Sequence, residues 1–177
     1  MKKIISILVL SLIFVQCNSD KKLLITKNNL GDIHKNTTII ELDQMFSNDS
    51  IVKLPENAPV YKKYIVFNHE GKQIINVKFD VKRDTIQGIE NIKIFDAAYT
   101  TEKGLNTAST FKDIANNYSI SKVEPSFSSA VVFVDEVNIT IALDKKDLKI
   151  EEFDMRKISK DQIPDMAKIQ YITLWFD

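Results

Sequence analysis

The ten residues Gln73-Ile74-Ile75-Asn76-Val77-Lys78-Phe79-Asp80-Val81-Lys82 set the period of the whole chain. Ile75, Val77, Phe79 and Val81 alternate with Asn76, Lys78, Asp80 and Lys82, the two-residue repeat of a strand in a sheet with one buried and one wet face. Upstream, Tyr61 to Asn68 reads as a strand ending in the turn His69-Glu70-Gly71-Lys72, and Ile51 to Leu54 as a shorter one closed by Pro55. Downstream, after the polar turn Arg83-Asp84, Ile89 to Phe95 is a further strand with Ile92 and Ile94 inward. Strands joined in succession by short turns predict an antiparallel meander.

Ahead of the meander, Leu23 to Thr26 reads as a strand and Asn28 to Asp32 as a turn. Thr38-Ile39-Ile40-Glu41 is a Thr-x-x-Glu capping box opening a helix with Ile39, Leu42, Met45 and Phe46 on one side. A similar order follows the meander. Ile92 to Phe95 leads through a turn at Gly104 to Thr110, which caps a helix carrying Phe111, Ile114, Ala115 and Tyr118. Thr38, Leu42 and Phe46 share their spacing with Thr110, Ile114 and Tyr118, offset by 72 residues. The pattern predicts an α+β domain over 23–177, an antiparallel sheet with two short helices, built as two similar strand-helix-meander halves of roughly 23–88 and 89–177. The competing reading is two unrelated capped helices, which both want apolar residues at these positions. In the second half, Ala130 to Val134 and Val137 to Asp144 predict a hairpin around Asp135-Glu136, and Lys168 to Phe176 a closing strand. Residues 145–167 are densely charged and follow neither period, as expected of a poorly ordered long loop; the competing reading is a binding element.

The first 22 residues have another character. Lys2 and Lys3 precede an apolar run of twelve residues, Ile4 to Val15, and Cys17, the single cysteine, follows it. The run is short for a bilayer core, which takes about 20 helical residues. Phe14-Val15-Gln16-Cys17 resembles the lipobox of bacterial lipoproteins, with Phe14 where the family has Leu and Gln16 where it has Gly, Ala or Ser. The resemblance implies a signal peptide over 1–16, acylation of Cys17, a tether over 17–22 and attachment to an envelope membrane. Asn18 is not the Asp that sorting reads as inner-membrane retention in enteric bacteria, so the expected site is the outer membrane facing the periplasm.

Without Lys2 and Lys3 the chain holds 22 basic against 24 acidic side chains, interspersed throughout, which argues against a nucleic-acid partner. No HExxH, Gly-x-Ser-x-Gly or glycine-rich phosphate loop is present. His34 and His69 both lie beside turn residues. Asp154, Asp161 and Asp165 lack the spacing of a calcium loop, so neither a metal nor another cofactor is expected. In the closing strand, Tyr171, Thr173 and Trp175 alternate with Ile172, Leu174 and Phe176, so both faces are apolar and one is either covered or left as a patch. Tyr171 and Trp175, with Tyr61 and Tyr64, are the candidate partner surface; ordinary core packing is the competing account.

Three stretches carry a second resemblance. Leu23 to Gly31, Ile94 to Tyr118 with its Gly-x5-Thr-x3-Ile-x3-Tyr core, and Ile163-Pro164-Asp165-x-Ala167-Lys168-Ile169-x-x-Ile172 together resemble the sigma-E-regulated lipoprotein family of enteric bacteria. That family comprises envelope domains of unknown function, and its enteric members carry paired cysteines that this chain lacks. The glycine turn before a capped helix is similar to that of BamE-type and β-lactamase-inhibitor-type domains, which implies protein binding. The expectation is therefore a non-enzymatic envelope lipoprotein that binds a protein partner as an assembly accessory, inhibitor or immunity factor. The alternative is a small-ligand carrier or enzyme of the envelope.

Overall fold

The computed structural model describes residues 23–55, 61–83 and 85–177. The signal, Cys17 and the tether lie outside the described residues. Short strands β1 (Leu24–Ile25), β2 (Asn29–Leu30) and β3 (Ile33–His34) lead into helix α1 (Ile39–Met45). The meander β4 (Ser50–Lys53), β5 (Tyr61–Phe67), β6 (Gln73–Lys82) and β7 (Thr85–Ile94) follows. After β8 (Thr100–Thr101) and helix α2 (Phe111–Asn117) come β9 (Lys122–Pro125), β10 (Ser129–Val134), β11 (Ile139–Asp144) and β12 (Ile169–Trp175). The fold is mixed α+β and mostly β.

Eight strands form one antiparallel sheet in the order β4-β5-β6-β7-β12-β11-β10-β9. Each helix is thus followed by a four-stranded meander, and the meanders join through their last strands, with Ile94 opposite Ile172 and Ile92 opposite Leu174. A smaller sheet, β3-β2-β1-β8, pairs Leu24 with Thr100 and Ile25 with Thr101 in parallel. The alternation in β6 holds from Val77 to Lys82, whereas Asn76, expected on the wet face, is buried; Ile75, Val77 and Phe79 enter the core beside Val66, Ile92, Val132, Ile141, Ile172 and Leu174. Leu42 of α1 and Phe111 and Ile114 of α2 join the same cluster.

Both helix starts are capped. Thr38 Oγ1 accepts from the Glu41 N–H at 3.2 Å while the Glu41 carboxylate accepts from the Thr38 N–H at 2.7 Å. At α2 the Asp113 carboxylate accepts from the Thr110 N–H at 2.8 Å and from its hydroxyl at 2.9 Å. These bonds, backbone first, hold the carboxyls of Glu41 and Asp113 below their ordinary values. The next N–H groups of α2, on Phe111 and Lys112, donate to the carbonyls of Ala167 and Asp165 at 2.9 Å each. Donors that a helix cannot satisfy itself thereby fasten the chain just before β12.

Four expectations need correction, and one strand is added. The division at 88/89 falls inside β7, so any boundary between halves lies after Ile94. Ala115 and Met45 are exposed rather than packed. The β10–β11 hairpin turns through four residues, Asp135 to Asn138, because Val134 pairs with Ile139 and Asn138 takes a left-handed conformation that asparagine tolerates. Lys122–Pro125, unassigned by sequence, is an edge strand. Finally, 145–167 is a connection with only a short 3₁₀ turn at Lys160–Gln162, yet it is packed, burying Lys145, Leu148, Ile158 and Ile163.

Candidate functional site

Strand parity separates the four expected aromatic residues. Tyr64 faces the core, 9% exposed, with its ring edge-on to Phe79 at 5.7 Å, and so leaves the candidate surface. Tyr61 points the other way because three residues along a strand reverse the side. Tyr61, 38% exposed, and Trp175, 40% exposed, stand on opposite rims of one shallow hollow of about 310 Å³ on the face away from the core. Tyr171 is half-buried one pleat along β12, tilted against Phe95 with ring centres 5.6 Å apart.

Sequence reasoning missed the residues between those rims. Cross-strand register sets Lys63 opposite Lys78, Lys78 opposite Asn91, Asn76 opposite Lys93, and Lys93 opposite Thr173. Asn76, Asn91 and Thr173 are buried and form the floor. The three lysines are half-buried along their stems and rise above it. Lys78 pairs with Glu90 at 2.8 Å and lies over the Tyr61 ring at 4.9 Å; Lys93 lies over the Tyr171 ring at 4.3 Å. Burial first, then the neighbouring Lys93 and Lys78, lowers the pKa of Lys63 below the ordinary lysine range. The signal was available in the sequence as lysines at wet-face positions of three successive strands.

Trp175 divides this hollow from a second of about 360 Å³, walled by Phe133, Ile139 and Thr140. Its indole N–H donates to the Thr140 hydroxyl at 3.0 Å, which fixes the ring and leaves its faces for contact. Together the two hollows form a continuous rough surface across β5, β6, β7, β12, β11 and β10.

The histidines stay apart. His34 Nδ1 is 2.8 Å from Asn29 Oδ1, and His69 lies at the β5–β6 turn beside Glu70. Asp154 is taken by Arg156 and Asp165 faces Lys112. Among the described residues no group of three or more His, Cys, Asp or Glu side chains could hold a metal ion, and no helix is long and apolar enough to cross a membrane.

No family model and no curated protein matches the chain. Solved structures do share its fold. The uncharacterized protein yfeY from Escherichia coli superposes with a TM-score of 0.59 at 12% identity, over 86% of this chain and 99% of that one. At such identity the likeness speaks for the architecture alone.

Proposed function

We propose that this chain is a lipid-anchored envelope protein, held to the outer membrane through Cys17, that binds a protein partner on the open face of its large sheet. The observation carrying the binding half is the exposure of Tyr61 and Trp175 on the uncovered side of a sheet whose other side is a complete core. Exposed aromatic rings on a broad surface are common energetic anchors of protein interfaces. The shallow hollows favour this reading over a small-ligand carrier or enzyme, whose ligand would need an enclosing pocket. The lipobox-like segment carries the anchoring half, because an acylated cysteine supplies the two chains that stable attachment requires.

The test uses the native chain in cells. A photo-crosslinking amino acid at Trp175 should capture a discrete protein band, whereas the same group at Ile40, exposed on α1, should not. Wild type should incorporate labelled palmitate and Cys17→Ser should not. Absence of label in the wild type removes the anchor; equal capture from both positions removes the surface.

The two halves, in this proposal, also derive from one unit. Gly31 and Gly104, both at positive φ, precede the two helices, and each helix precedes one meander. A superposition of 23–94 on 95–175 in an experimental structure should bring Thr38 onto Thr110 and Phe46 onto Tyr118; helices displaced from one another would remove the idea.

A further inference from the structure

We propose that the hollow between Tyr61 and Trp175 seats acidic side chains of the protein partner, an inference that rests on the open sheet face being the binding surface. The residues lining the hollow include three lysines and no carboxylate. Glu90, just outside it, occupies Lys78. Among the described residues, Lys63 and Lys93 have no carboxylate partner.

This arrangement works against the fold. Lys63 and Lys78 are directly opposed on neighbouring strands, where like charges destabilise a sheet. Half-burial of their stems removes part of the water that would screen them. The lowered pKa of Lys63 is consistent with that crowding. An incoming carboxylate relieves the repulsion and meets donors already in place. The floor is prepared for the same chemistry, since neither the Thr173 hydroxyl nor the Asn76 amide nitrogen bonds to another described residue. The hollow is open on its outer side, where a free small anion would keep much of its water; an acidic group carried by a body that covers the rims would be shielded there, and the apolar rings of Tyr61 and Trp175 suit a protein surface. Lys122, on the same face, is already paired with Glu124 at 2.8 Å and serves as an internal control.

Full-length protein in detergent is titrated with fluorescent octaglutamate, octalysine and polygalacturonate. Octaglutamate should bind, octalysine should not, and affinity should fall with salt. Lys63→Glu and Lys93→Glu should each weaken octaglutamate about tenfold, and Lys122→Glu should leave it unchanged. Lys63→Gln and Lys93→Gln, with thermal melts matching wild type, should give smaller losses in the same direction. No octaglutamate binding, preference for polygalacturonate, or equal affinity in all the lysine variants overturns the proposal. If capture from Trp175 persists while octaglutamate fails, only this inference falls; if capture fails while octaglutamate binds, the partner-surface reading falls.

Discussion

The ammonium group of Lys145 donates to the main-chain carbonyl of Asp154 at 2.6 Å, nine residues further along, inside a site that leaves Lys145 no exposed surface. The same group reaches the carbonyl of Phe127 at 3.3 Å, and the Phe153 N–H donates to Phe127 at 2.7 Å. One buried cation thus gathers the β9–β10 turn and the start of the long connection. Lys145→Met keeps the apolar stem but strands the Asp154 carbonyl, while the Phe127 carbonyl keeps the Phe153 N–H. It should cost about 2–3 kcal/mol in urea unfolding, since hydrogen bonds to charged groups and unmet buried acceptors are each of that order. A midpoint equal to wild type would mean the Asp154 carbonyl finds another donor.

Arg156 holds the carboxyl of Asp154 down to about 2, through side-chain hydrogen bonds first and its backbone N–H second. A depressed carboxyl stabilises the fold above its unfolded pKa, and that contribution is lost as pH falls through the ordinary carboxylate range toward 2. NMR titration of Asp154 should show this low midpoint in wild type and a return toward the ordinary range in Arg156→Gln. An unmoved midpoint would assign the shift to something other than Arg156.

Gly88 has φ +138°, and a Cβ there would lie 2.9 Å from the carbonyl oxygen of Lys35, which accepts from the Ile89 N–H at 2.7 Å. Gly88→Ala therefore meets both backbone strain and fixed backbone. A loss of roughly 1–3 kcal/mol is expected in thermal or chemical unfolding. Gly71→Ala, at φ +76° with open space around it, should lose less. The reverse order would contradict the close approach at Gly88.

The two helix caps should respond unequally. Thr38→Ala removes the oxygen that receives the Glu41 N–H and should cost about 1 kcal/mol. Thr110→Ala should cost less, because the Asp113 N–H already donates to the Thr110 main-chain carbonyl at 3.1 Å and the Asp113 carboxylate keeps its bond to the Thr110 N–H. Equal losses, read from urea midpoints, would place the hydroxyl of Thr110 in a larger role.

What could be read beforehand was whatever depends on local period. The box at Thr38 and Glu41 and the alternation of β6 from Val77 to Lys82 are encoded within ten residues, and the structure has both; Asn76, at the start of β6, is buried all the same. Tyr61 and Tyr64 show where that reading slipped: both are aromatic and near neighbours, but three positions apart on a strand they cannot share a face. The wet-face parity of the three lysines is visible in sequence, but their grouping is made by register between strands, with Lys63 and Lys93 30 positions apart in the chain. Residues 145–167 defeated periodicity for a related reason. Their order comes from Lys145 bonding to carbonyls and from α2 bonding to Asp165 and Ala167, neither of which leaves a repeat in sequence.

The meeting of β7 with β12 has a consequence for how the protein is made. Of the strands in the large sheet, β12 is the last to emerge, yet it occupies the middle rather than an edge. Until it arrives, β7 and β11 each present an unpaired inner edge, and the nascent chain holds two half-sheets with no seam between them. Closure then depends on contacts such as Ile94 with Ile172, far apart along the chain, which makes the final step slow by topology. A polypeptide stopped before Ile169 would expose two sticky edges at once, the arrangement from which strand exchange and aggregation begin.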